Sequence, residues 1–65
     1  MLPEDIYAEI NSIQTQIDNN EKSFDIALLD PHQLEYAKQI YRGIKVMESR
    51  LTELRILLIQ KLNTD

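Results

Sequence analysis

The sequence predicts an all-α fold, an antiparallel two-helix hairpin, and three observations carry that expectation. Apolar residues recur three and four apart in both halves of the chain, the period of an amphipathic helix. The centre holds "LLDPHQL", Leu28 to Leu34, which reads as a helix stop followed at once by a helix start. One glycine and two prolines in 65 residues leave little material for strands and tight turns.

The first helix is expected over about residues 3–26. Pro3 suits a first helical turn because the N–H it lacks would have no intrahelical acceptor, and Glu4 and Asp5 stand where the helix dipole favours anions. Ile6, Ile10, Ile13 and Ile17 form the buried stripe, which continues through Asn20 to Phe24 and Ala27. No glycine marks the end, which is placed near Ile26.

The reversal follows. Pro31 pushes Asp30 out of the helical region, so a continuous helix through Asp30 is disfavoured. Asp30 is placed to cap the second helix, Pro31 to occupy its first position, and Gln33 to reach back to the Asp30 N–H. Leu29 is placed to pack on Leu34, giving a capping box with a hydrophobic staple.

The second helix is expected over about residues 31–62. Ala37, Ile40, Ile44, Met47, Leu51, Leu54 and Leu58 alternate by three and four, the seam of a coiled-coil-like packing. A short connection makes the helices antiparallel neighbours. Phe24 should then meet Ala37, Ile17 meet Ile44, Ile10 meet Leu51 and Ile6 approach Leu54. Asn20 should meet Ile40 and Tyr41, where the tyrosine hydroxyl could satisfy it. The lone Gly43 falls inside this helix, at a propensity cost of about 1 kcal/mol, and suggests a close helix approach or a slight kink.

Composition limits what the single domain, residues 1–65, can do. At this size one core yields only a few kcal/mol, so support from a partner is expected. Without cysteine, and with His32 as the one histidine, there is neither a disulfide framework nor a thiolate or multi-histidine metal site, and no cofactor is expected. Seven basic against eleven acidic residues, a net charge of -4 with no basic cluster, argue against nucleic-acid binding. The longest strictly apolar run, Ile56 to Ile59, is far short of a membrane span of roughly 20 residues, and the acids near the N-terminus do not suit a secretory signal. A soluble cytoplasmic protein is expected.

Catalysis finds little to stand on. Glu4 and Asp5 are adjacent carboxylates, but acid–base work needs a concave, partly dry site to shift a pKa, and a hairpin offers none. His32 reads as a surface residue of a first helical turn. No serine or threonine has a histidine near it in sequence, and no glycine-rich phosphate loop is present. The chain is read as a non-enzyme.

What remains is a binding surface. A first helix of about 24 residues is about 36 Å long and a second of about 32 residues about 48 Å, leaving roughly 12 Å of overhang. That overhang is "ILLIQKL", Ile56 to Leu62, apolar around most of the helix circumference, so one seam cannot bury it all. Burying five such side chains against a partner at roughly 1.5 to 3 kcal/mol each would give a gross gain of order 10 kcal/mol, less the costs of association. The residues expected to bind a partner are Val46, Ile56, Leu57, Ile59 and Leu62, with Tyr36 and Tyr41 as secondary candidates.

The segment "DPHQLEYAKQIYRGIKVMESRLTELRILL", behind a shorter amphipathic helix, resembles the small co-chaperones of type III secretion needle subunits. The likeness rests on Asp30, Pro31 and Gln33 opening the second helix and on the aliphatic end, Leu54 to Ile59, and covers nearly the whole chain. It implies a role in a virulence apparatus: pairing with a larger helical-repeat chaperone and, through it, keeping the needle subunit unpolymerised in the cytoplasm. The family motif assigns no contact residues; those named above come from the overhang. The alternative is a homodimeric four-helix bundle acting as a small regulator or structural protein of phage or plasmid type, in which two hairpins cover each other's overhang.

Overall fold

The computed structural model describes residues 2–63. Among them the chain is two helices and no strands: α1, Pro3–Leu28, and α2, Leu34–Asn63, joined through a 3-10 turn at Pro31–Gln33. The start of α1 follows from local chemistry. The Leu2 carbonyl accepts from the N–H groups of Asp5 and Ile6, at 3.0 and 3.2 Å, so the first turn closes on the residue before Pro3. Glu4 and Asp5 occupy that turn, at the positive end of the helix dipole.

α1 ends two residues beyond the expected Ile26. Leu29 donates to the Ile26 carbonyl and Asp30 to the Ala27 carbonyl, at 3.1 and 3.2 Å, which satisfies two of the last free acceptors. Asp30 itself is extended (φ -120°, ψ 113°), the conformation Pro31 demands of its predecessor. This one extended residue breaks the helical path, and no described residue has a positive φ.

The start of the second helix departs from expectation. Pro31–Gln33 form a 3-10 turn, and regular α-helix begins only at Leu34 and runs to Asn63. Because a 3-10 turn bonds three residues back, the Gln33 N–H is already given to the Asp30 carbonyl at 2.9 Å. The Asp30 carboxylate therefore accepts from His32 N–H, at 2.9 Å. The other half of the capping box is absent as well, since the Asp30 N–H is committed to Ala27. Nor does the staple form: Leu29 is 84% exposed.

The apolar stripes become the core. Ile6, Ile17 and Ala27 of α1 are buried, as are Ala37, Ile40, Ile44, Leu51 and Leu54 of α2. Ile10, Ile13, Phe24 and Met47 pack half-buried against the cluster of Ile17, Ile40, Ile44 and Leu51. Ile6 and Leu54 are the largest side chains with no exposure, at the end of the pair far from the turn. Asn20 does not use the Tyr41 hydroxyl. Its amide donates to the Gln16 carbonyl at 2.8 Å, an acceptor one turn back that a helix always holds within reach. Tyr41 pairs instead with Phe24, ring centroids 6.0 Å apart and tilted by 39°.

Gly43 marks neither a close approach nor a break. α2 passes through it uninterrupted, and a Cβ placed there would meet nothing within 4 Å. At the far end, one Glu9 carboxylate oxygen accepts from Arg50 Nε and Nη2 at 3.3 and 3.0 Å, and Arg50 Nη1 reaches Glu53 at 3.5 Å. The Glu9 hydrogen bond and charge, with Glu53 adding to them, hold the guanidinium pKa above its usual value.

Candidate protein-binding surface

The Glu9–Arg50 contact sets the level of one helix against the other. Pro3 lies six residues before Glu9 and Asn63 thirteen after Arg50, so α2 runs on some seven residues, roughly 10 Å, past the start of α1. Of the projecting and adjoining residues, Ile56, Ile59 and Leu62 are 51, 58 and 52% exposed, while Leu57 and Leu58 are half-buried. Successive spacings of three make Ile56, Ile59 and Leu62 neighbours along one strip of helix. Nothing in this segment interrupts the helix, and leucine, glutamine and lysine there all favour it.

The remaining candidates stand elsewhere. Tyr36, Tyr41 and Val46 are exposed, but Val46 is ten residues before Ile56, about 15 Å along the axis, and Tyr36 is farther still. Tyr41 is also engaged: beyond its contact with Phe24, the Lys45 ammonium lies 5.2 Å from its ring centroid, a cation–π distance. The structure thus brings together Ile56, Ile59 and Leu62 and leaves the tyrosines and Val46 apart from them.

A second apolar surface, missed in the sequence, lies at the turn. Phe24, Leu28, Leu34, Ala37 and Tyr41 line an open cavity of about 380 Å³, with Lys38 and Arg42 also in its wall. Leu28 and Leu34 in its wall, and Leu29 at the turn beside it, are all more than half exposed, as is Ile26 on another face of α1. The signal was present in "IALLDPHQL": four aliphatic residues off both stripes, read only as punctuation of the reversal. Leu2 and Tyr7 are likewise exposed at the opposite end.

The titratable groups singled out in the sequence stand apart, Glu4 and Asp5 at the start of α1 and His32 at the turn. Glu4, Asp5 and His32 are exposed. No three histidine or acidic side chains among the described residues are placed to hold a metal ion. No helix among them is long and apolar enough to cross a membrane. No protein-family model, curated protein or solved structure matches this chain.

Proposed function

We propose that this chain is an antiparallel helical hairpin acting as a non-catalytic protein-binding module, and that its C-terminal projection is the docking strip. The exposed row of Ile56, Ile59 and Leu62 on a helix end that runs past its neighbour is the observation that supports this most directly. An aliphatic strip of that kind fits an apolar groove on a larger helical partner, the helix-in-groove mode of recognition. In the type III secretion reading, the partner is a helical-repeat chaperone, and the pair together keep the needle subunit unpolymerised in the cytoplasm before export. Leu57 would be drawn into the same contact, with Tyr36, Tyr41 and Val46 engaged only by a partner that extends along the rod.

The test is co-purification of the chain with a helical-repeat protein encoded beside it, using the double variant Ile56→Asp, Ile59→Asp. The variant should lose the partner and keep its helical circular-dichroism spectrum. Undiminished co-purification would remove the projection from the interface.

A second reading is favoured by a separate observation. The apolar cavity and exposed leucines at the turn are not used by the projection. A homodimer of two hairpins, acting as a small regulator or structural element, would cover them.

A further inference from the structure

The turn-end groove is bordered by opposite charges on its two margins. On α1, Asp18, Glu21 and Asp25 precede Leu28 by ten, seven and three residues, spacings that put them on the same side of the helix as that groove-lining leucine. On α2, Lys38, Arg42 and Lys45 follow one another by four and three; the first two line the cavity, and the third covers the Tyr41 ring. All six are exposed.

The two stripes also stand abreast. Measured from the Phe24–Tyr41 contact, Asp25 is one residue toward the turn, with Glu21 three and Asp18 six away from it. Lys38 is three toward the turn, with Arg42 one and Lys45 four away. Yet no ion pair joins the stripes within the chain. Lys38 and Lys45 pair with Glu35 and Glu48 of their own helix, at 3.2 and 3.6 Å. Asp18, Glu21, Asp25 and Arg42 are in no ion pair among the described residues.

We propose that this groove docks a second copy of the chain, the two rods related by a twofold axis parallel to their length with both turns at the same end. This rests on the second reading above. Such an axis lays α1 of each copy over α2 of the other, so each acidic stripe faces the other copy's basic stripe and the dimer holds two such contacts. Phe24, Leu28, Leu34 and Tyr41 of both copies close into one apolar layer between them. The other closed arrangement, with the axis across the rods, stacks each helix on its own counterpart and brings no acidic stripe over a basic one. The interface is isologous and therefore ends at two copies, and complementary charge fixes its register.

The experiment is sedimentation of wild type and two charge-inverted chains, one carrying Lys38→Glu, Arg42→Glu and Lys45→Glu, the other Asp18→Lys, Glu21→Lys and Asp25→Lys. Each inverted chain alone should dimerise at least about tenfold more weakly than wild type, and their equimolar mixture should recover the affinity. Wild type that stays monomeric at every loading concentration overturns both this docking mode and the homodimer reading. Inverted chains that dimerise as wild type does, or a mixture that fails to recover, overturn the docking mode alone.

Because the chain has no cysteine, introduced thiols give a check that does not depend on the inverted chains folding. Leu29→Cys should cross-link to itself through a short bis-maleimide. A cross-link between Leu29→Cys and Asn63→Cys chains would mean that turn meets open end, and would overturn the arrangement.

Discussion

Replacing Gly43 with alanine should stabilise this protein. α2 is continuous from Leu34 to Asn63, Gly43 has no positive φ, and the added methyl group meets no atom within 4 Å. Neither backbone strain nor a steric clash therefore opposes the change. What remains is the difference in helix propensity, about 1 kcal/mol, which includes the conformational freedom that glycine has in the unfolded chain and alanine lacks. For a chain of 65 residues, an unfolding entropy near 2.1 cal/mol/K per residue turns 1 kcal/mol into a rise in Tm of about 7 °C. Thermal melting by far-UV circular dichroism reads this directly. Wild type and variant are compared at one protein concentration, because any self-association makes Tm depend on concentration. An unchanged or lowered Tm would refute the reasoning: it would mean that a bend or a bound neighbour occupies the space beside position 43.

Other substitutions separate the forces that hold the pair together. Asp30→Ala removes the acceptor of the His32 N–H and should lower stability by about 1 kcal/mol in chemical denaturation; a midpoint equal to wild type would show that this carboxylate does not hold the turn. Leu54→Ala empties a site with no exposure and should cost about 2–5 kcal/mol, enough to unfold much of so small a protein; circular dichroism showing full helicity and an unchanged melt would mean Leu54 is not in the core. Arg50→Ala should cost less than about 1 kcal/mol, because the Arg50 and Glu9 side chains are 47% and 33% exposed; a wild-type melt that does not respond to added salt, or a larger loss in the variant, would contradict a solvent-screened pair.

Much of the architecture was legible because its causes are local. The spacing of three and four picked out the core: each residue of both stripes, from Ile6 to Ala27 and from Ala37 to Leu58, is buried or half-buried. Pro31 made Asp30 extended whatever else the chain does, and the aliphatic end of α2 read correctly as more apolar than one neighbour could cover. Two of the failures lie where a side chain has two local partners within reach. Asp30 could accept from Gln33 or from His32, and the choice fell to His32 once a 3-10 turn had claimed the Gln33 N–H. Asn20 could turn to Tyr41 or to its own helix, and the nearer carbonyl won.

The sequence alone determined two amphipathic helices, their approximate limits, the break between them and the side of each that avoids water, because periodicity and proline stereochemistry act over one or two turns. An overhang of α2 was expected from the helix lengths; only the tertiary structure decided which side chains meet along the seam. The level at which they meet leaves some 10 Å of α2 beyond α1, seats the Phe24 ring beside Tyr41, and opens a cavity lined by Leu28 and Leu34. It also leaves Gly43 facing open space. Such features depend on side chains distant in sequence meeting at a given height, which is set by how large and small residues interdigitate along the whole seam and not by the pattern of any one segment.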